Sequence, residues 1–232
     1  MSGYQTKQEQ FKIAGLDDMT FRSLLDKHQY SDPSGESLRL GISSALWPLF
    51  GLLWPSGAEL ARLIARRPVN TDETILELGC GLGLASLVAH RLGADVTASD
   101  CHPLAGAFLL ENVRLNALKV LKYRHGHWNP PPAGRVFEGD PVREPVVGRF
   151  DLIIGSDLLY ERDPAGGLAS FIDQHAAVCA EVWIVDPDRR NRALFSRQML
   201  AKRFTLIERR LDHGASAYSG AYKGRLLHFK RA

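Results

Sequence analysis

Residues Ile75 to Gly83 read Ile-Leu-Glu-Leu-Gly-Cys-Gly-Leu-Gly, and an acid, Asp100, stands 21 residues after Gly79. Glycines at a strand-to-helix turn let the backbone approach a ligand closely, while the first N–H groups of the following helix lack intrahelical partners. A nucleotide-like molecule is the natural occupant. An acid about 20 residues beyond the first glycine is where a carboxylate grips a ribose, and its acceptor oxygens suit a vicinal diol.

Glu77 separates the possible nucleotides. A dinucleotide fingerprint, Gly-x-Gly-x-x-Gly, started at Gly79 would need glycine where this chain has Leu84; its third glycine is Gly83. A carboxylate two residues before Gly79 repels a pyrophosphate and attracts an ammonium or sulfonium. S-adenosylmethionine carries both cations together with a ribose for Asp100, so it is favoured over a nicotinamide cofactor. The alternative for Glu77, a surface or capping acid, sits badly in an apolar strand, because a buried carboxylate needs a partner.

Positioning these groups requires alternating strands and helices. The sequence predicts strands at 74–78, 94–99, 120–123, 150–155 and 181–186, and helices at 58–66, 84–92, 103–117, 165–178 and 191–203. Segments 204–211 and 225–230 read as a closing antiparallel pair. The uninterrupted apolar run from Phe150 to Gly155 is that of a strand covered on both faces. The expected fold is α/β: a doubly wound, mostly parallel seven-strand sheet with helices on both faces and its ligand at the C-terminal strand ends. Residues 1–45 are expected to form an N-terminal extension and 46–232 the domain. The first forty residues read as polar and irregular, apart from a short helix at 19–28 with Phe21, Leu24 and Leu25 on one side. The stretch from Trp128 to Gly148, rich in Pro and Gly, reads as a loop.

The segments ELGCGLGLAS, VTASD, ENVRLNAL, HWN and FDLIIGSDLLYE, in that order, follow a Trp54-Pro55-Ser56-Gly57 entry. Together they resemble the seven-strand class I methyltransferases, and within them the group of protein-lysine methyltransferases and nicotinamide N-methyltransferase-like proteins. The resemblance runs from about Leu53 to Arg203 and implies a Rossmann-like methyltransferase fold with S-adenosylmethionine as cofactor. It implies that Glu77, Gly79, Gly81 and Gly83 belong to the motif cradling the methionine end, that Asp100 is the ribose carboxylate, and that Cys101 offers a backbone donor near adenine. Trp128 matches a tryptophan expected beside the adenine ring; His127 precedes it here where the group has Asp. Ser156 matches a small residue lining the cofactor and Trp54 an aromatic at the pocket mouth. Asp157-Leu158-Leu159-Tyr160 matches the group's Asp-x-x-Tyr motif.

Methyl transfer from a sulfonium needs in-line attack by a lone pair, so the protein's main task is to position two reactants and exclude water, and no metal is required. Asp157 and Tyr160, at the end of the strand beside the first, are the expected catalytic pair, holding an ammonium between a carboxylate and a ring face. That amine must lose its proton before attack. The structural alternative for Asp157 is a helix N-cap before Glu161-Arg162-Asp163. The expected activity is S-adenosylmethionine-dependent N-methyl transfer to a protein lysine, with a small amine or nitrogen heterocycle as the alternative acceptor. A non-catalytic cofactor-binding scaffold is the alternative of a different class. His125 and His127 lack Cys or acid neighbours at metal-ligand spacing and read as ordinary polar residues. Trp47, Phe50 and Leu52 read as core or as a substrate lip. Asp186 reads as a substrate contact or as a turn acid before Pro187.

The rest of the 232-residue chain sets bounds on these readings. Hydrophobic residues at 45% and charged residues at 24% exclude wholesale disorder and fibrous structure. No apolar run reaches the roughly 18 residues of a membrane span, and the first twelve residues lack the apolar core of a secretory signal. Three cysteines without CxxC spacing argue against a disulfide framework and a zinc knuckle, and a reducing cytoplasm is expected. The net charge of +3 conceals a split: residues 188–232 hold twelve basic and three acidic side chains, a local +9 against −6 for the remainder. Such a flank is either the solvated face of a helix and two strands or a docking surface for an acidic protein. Nucleic acid and membrane partners are not expected.

Overall fold

The N-terminal residues form a hairpin, β1 (Thr6–Phe11) with β2 (Met19–Leu24), where the sequence predicts irregular chain and a helix at 19–28. Thr6 lies opposite Leu24 and Phe11 opposite Met19. Met19, Phe21 and Ser23 alternate inward with a period of two, and Phe21 and Leu24 are fully buried. Phe21, Leu24 and Leu25 fit a helical stripe equally well on paper, and pairing with β1 decides between the two periods. The outer edge of β2 is satisfied by asparagine side chains at and just beyond the helix Ala105–Leu115. Asn116 accepts from the Thr20 N–H (2.9 Å) and donates to the Thr20 carbonyl (2.7 Å), and Asn112 accepts from the Arg22 N–H (2.7 Å).

The computed structural model describes residues 4–129, 143–216 and 219–231. Most of the Pro/Gly-rich stretch that follows Trp128 lies outside them. After the hairpin come α1 (Glu36–Arg39), two single-turn 3₁₀ segments at Ser44–Leu46 and Leu49–Gly51, and α2 (Pro55–Ala65), which opens with proline in its first turn. The alternating units follow: β3 (Thr74–Leu78), α3 (Leu84–Arg91), β4 (Asp95–Asp100), α4 (Ala105–Leu115), β5 (Lys122–His125) and β6 (Phe150–Ser156). The chain ends with α5 (Gly167–His175), β7 (Ala176–Asp186), α6 (Arg192–Ala201), β8 (Thr205–Arg210) and β9 (Arg225–Arg231).

Seven strands form one sheet in the order β5-β4-β3-β6-β7-β9-β8. The first five run parallel, and β9 and β8 are antiparallel to their neighbours, as the sequence predicts. One boundary moves. The helix predicted to Val178 ends at His175, and β7 starts at Ala176, which pairs with Phe150 ahead of a register shift in the β6–β7 ladder. Consecutive residues of the central strands serve opposite faces. Ile75, Leu152 and Ile154 join the core that includes side chains of α2, α3, α4 and the hairpin, whereas Leu76, Leu78 and Ile153 join that of α5 and α6.

Between β3 and β6 the strand order reverses, and a crevice opens there at the carboxyl ends of the strands. Leu78 is in register with both Ser99 and Gly155, so Gly79, Asp100 and Ser156 leave three adjacent strands at one level.

Candidate active site

At that level lies a cavity of about 500 Å³. Its floor is the turn after β3. Gly81 has φ +52°, and a Cβ there would stand 2.6 Å from the Phe50 carbonyl oxygen, so only glycine lets the turn lie against the 3₁₀ segment before α2. Gly83, at φ +77°, is where α3 begins; a Cβ on it would meet Leu109 at 2.2 Å. Gly79 and Gly81 line the cavity, but Gly83 does not; it sets the entry of α3 and its packing on α4.

Two buried carboxylates hold this turn. Asp100 accepts from the Gly81 N–H through Oδ2 and from the His102 N–H through Oδ1, each at 2.8 Å, so it ties the glycine turn to the end of β4. Burial raises its carboxyl above the usual range, against the pull of those backbone donors. Glu77 accepts from both the backbone N–H (2.9 Å) and the hydroxyl of Ser86 through Oε2. Ser86, in α3, is the partner a buried carboxylate requires. Burial still pushes the Glu77 carboxyl up to about 7.

Flat groups form the neighbouring wall. Trp128 and Cys101 line it, and burial raises the Cys101 thiol. Phe50 and His102 stack at 3.8 Å with an interplanar angle of 11°, and burial pushes His102 down to about 3, which keeps it neutral. Trp54 lines the cavity and donates from Nε1 to the Leu49 carbonyl at 2.8 Å, which fixes its ring. Phe50 and Leu52 also line the cavity; Trp47 does not and donates instead to Ile42.

The opposite wall is the end of β6. Ser156, Asp157 and Tyr160 all line the cavity, with Tyr160 40% exposed at its rim. Asp157 has φ +57°, and its N–H donates to the Val185 carbonyl at 2.9 Å. The N-cap alternative for Asp157 is not realised. Helix α5 begins at Gly167, and Asp163 accepts from the N–H groups of Gly167 (3.0 Å) and Leu168 (2.9 Å). Asp157 binds Arg189 instead: Nε and Nη2 reach Oδ1 at 2.6 and 2.5 Å. Asp186 is fully buried and accepts from the Arg189 N–H at 2.7 Å, which is the turn-acid reading of that residue.

Ten of the eleven residues singled out from the sequence thus line one cavity. Arg189, Ser86 and the stacking of His102 on Phe50 are what sequence reasoning missed. Of these only Arg189 carried a signal, a cation in the turn Asp186-Pro187-Asp188-Arg189 at the end of a strand on the same face. Among the described residues no group of three or more His, Cys, Asp or Glu side chains converges on a metal site, and no helix is long and apolar enough to cross a membrane. The donor and acceptor set suits a cationic nucleoside: two buried acids below, flat rings to one side, and an acid with an aromatic rim opposite.

The lysine methyltransferase family model matches residues 51–199, a span that begins before α2 and takes in every cavity-lining strand end. The chain belongs to the lysine methyltransferase family. Among curated relatives, it is 30% identical over 151 residues to the electron transfer flavoprotein beta subunit lysine methyltransferase of Rattus norvegicus, covering 62% of this chain and 54% of that one. It is 29% identical over 123 residues to the protein N-lysine methyltransferase METTL21A of Danio rerio, covering 53% of this chain and 50% of the relative. The chain spans about half the length of the curated relatives it matches. Of solved structures, the ribosomal protein L11 methylase of Lactobacillus delbrueckii subsp. bulgaricus aligns with a TM-score of 0.54 at 19% identity, over 78% of this chain and 80% of that one. The 16S rRNA N2 G1207 methyltransferase of T. thermophilus aligns with a TM-score of 0.59 at 16% identity, over 98% of this chain and 51% of that one. These likenesses establish the class I methyltransferase fold for this family member.

Proposed function

We propose that the chain is an S-adenosylmethionine-dependent N-methyltransferase whose acceptor is a protein lysine. The observation that carries this reading is the convergence of Glu77, Asp100 and Asp157 on a single cavity, in a chain of the lysine methyltransferase family. The curated relatives named for lysine methylation favour a protein acceptor over a small amine.

The residues present fit that cofactor by their own chemistry. Ser86 engages only Oε2 of Glu77, and each oxygen of Asp100 takes one backbone N–H, so both acids keep acceptor capacity toward the cavity. Glu77 would face the methionine ammonium across the Gly79–Gly81 turn, and Asp100 the ribose hydroxyls. Cys101, Trp128 and Trp54 would flank the base and the mouth, and Ser156 the middle of the cofactor. When bound, S-adenosylmethionine supplies a methyl group on a sulfonium, open to in-line displacement by a nitrogen lone pair.

Asp157 and Tyr160 would orient that nitrogen. A carboxylate alone would favour the ammonium, which has no lone pair, but Arg189 offsets the Asp157 charge. The pair therefore positions the acceptor while lowering the preference for its protonated form, and the proton leaves to solvent at the Tyr160 rim. Exposed Arg190, Arg197, Arg203, Arg209 and Lys223, which form no ion pair among the described residues, support docking of an acidic protein surface beside α6 and β8. Three free thiols accord with a reducing compartment, and the cytoplasm is the one proposed.

The test is turnover. Purified protein incubated with methyl-labelled cofactor and a cell lysate should label a protein band on lysine, and Asp157→Ala should abolish it. Label found only in small molecules overturns the protein acceptor.

A further inference from the structure

At the end of the sheet away from the cofactor cavity, where β6 begins at Phe150 and β9 finishes at Arg231, lies an open concavity of about 710 Å³. The seven residues of β6 put it roughly 20 Å from the methyl-transfer chemistry. Arg149, Lys202, Arg203 and Arg231 line it with a single acid, Asp173, four cations against one anion. Two of the guanidiniums are held by groups without net charge: Arg149 donates from Nη1 to the Ala176 carbonyl (2.7 Å), and Arg231 from Nη2 to the carbonyls of Ala176 and Ala177 (3.0 Å each). Carbonyls fix these side chains and leave their charge in place. Arg231 and Lys202 share the one carboxylate, Lys202 at 3.6 Å, and Arg203 forms no ion pair or side-chain hydrogen bond among the described residues. Helices α5 and α6 both end here, and a C-terminal dipole of roughly −0.5 charge from each still leaves about two positive charges unanswered.

The backbone of Arg203 is a second, independent sign. Its N–H donates to the Leu200 carbonyl (3.0 Å) and that of Phe204 to the Met199 carbonyl (3.3 Å), the paired bonds of a Schellman turn closing α6. That turn needs a left-handed residue, and Arg203 has φ +65°, where glycine is relaxed and arginine is strained. A guanidinium therefore stands in the concavity despite a local backbone preference for glycine.

We propose that this concavity binds a compact phosphate-rich anion, one with two or more linked phosphate groups, at a site separate from the methyl-transfer cavity. Guanidinium forks match phosphate oxygens in pairs, and those held on carbonyls lose little freedom when the anion arrives. Among the lining residues only Val178 and Ala201 are apolar and none is aromatic, so the phosphates themselves are what the site recognises.

Titration calorimetry on the full chain with metal-free tripolyphosphate tests this. At low salt one molecule should bind per chain, and the affinity should fall as salt is added. Arg149→Gln and Arg203→Gln should each weaken it about tenfold, the size of one hydrogen bond to a charged group, while Arg209→Gln on β8 should change it little. Arg203→Gly separates the ligand from the fold. Relief of the left-handed strain should raise the melting temperature of the ligand-free protein by roughly 2–4 °C, while affinity drops as in Arg203→Gln. Absence of saturable binding overturns the proposal. So does an equal loss in Arg149→Gln and Arg209→Gln, the behaviour of a diffuse basic surface, and so does an Arg203→Gly protein that binds as the wild type. UTP bound tenfold more tightly than tripolyphosphate would show that a base is recognised and overturn the assignment to phosphates alone. A poly-glutamate peptide that matches tripolyphosphate, and is lost with the same variants, would assign the concavity to an acidic chain instead.

Discussion

Arg189 donates from Nε and Nη2 to the same oxygen, Oδ1, of Asp157, across 32 residues of sequence and between the ends of β6 and β7. The carboxylate proposed to orient the acceptor nitrogen therefore has a resident cation. The hydrogen bond to Asp157 raises the Arg189 guanidinium above its ordinary range, so that cation keeps its charge.

Removing that cation should change which form of the acceptor the pocket favours. With Arg189→Met the unpaired Asp157 stabilises a lysine ammonium, so the acceptor KM falls while the pH optimum of kcat/KM moves up by about one unit. A pH–rate profile on an acceptor peptide measures both. A variant that loses activity with an unmoved profile would assign Arg189 a structural role only.

Glu77 makes cofactor binding sensitive to pH. In the ligand-free fold its carboxyl is pushed up to about 7, so it stabilises the fold fully below the ordinary glutamate range and loses that contribution as pH rises through 7. A bound ammonium reverses the preference. Affinity for S-adenosylhomocysteine should then fall as pH drops below 7, approaching about tenfold per pH unit, and Glu77→Gln should bind more weakly but with a flatter profile. Calorimetry between about pH 6 and 8 compares the two slopes.

Asp100 holds the glycine turn as well as the proposed ribose site, through the N–H groups of Gly81 and His102. Asp100→Ala should weaken S-adenosylhomocysteine binding by about 10- to 100-fold, the range for hydrogen bonds to a charged group, and lower the melting temperature of the ligand-free protein. Unchanged affinity would move the ribose elsewhere.

The hairpin contributes to stability as well as covering the core. Phe21 is fully buried in the same hydrophobic cluster as Leu60 and Phe108. Phe21→Ala should cost about 3–5 kcal/mol, a fall in Tm of roughly 10 °C, with cofactor affinity preserved below the new transition. Thermal melts with and without S-adenosylhomocysteine separate the two effects.

Salt should act on one partner and spare the other. Much of the basic flank is already paired, as Arg210 and Arg225 both reach Asp188, and Arg192 and Arg225 both reach Glu208. The exposed remainder should make methylation of a protein acceptor slow down with added salt, while the affinity of the enclosed cofactor barely changes. Equal salt sensitivity of both would return the flank to a solvated face.

The strand ends that build the cavity were legible because parallel strands covered on both faces leave unbroken apolar runs, as in Thr74–Leu78 and Phe150–Ser156. Gly79, Gly81, Asp100 and Asp157 sit where those runs stop. Met19–Leu24 was misread because six residues fit a helical and an alternating period alike, and the partner that decides, β1, lies across a turn. Ala176–Ala180 continues a helical composition and becomes strand only by pairing with β6 and β9. Arg189 on Asp157, Ser86 on Glu77 and Leu40 on His127 are side-chain contacts between elements, and no local period encodes them.

Strands β3 and β6 lie side by side although α3, β4, α4 and β5 intervene in the chain. The cavity thus straddles a seam between two lengths of polypeptide, one contributing the Gly79–Gly81 turn and the other Ser156 and Asp157. A molecule that touches both acts as a clasp, and its binding energy adds to the cohesion of the halves. Occupancy should therefore be readable far from any chemistry, as slowed amide exchange along the β3–β6 ladder.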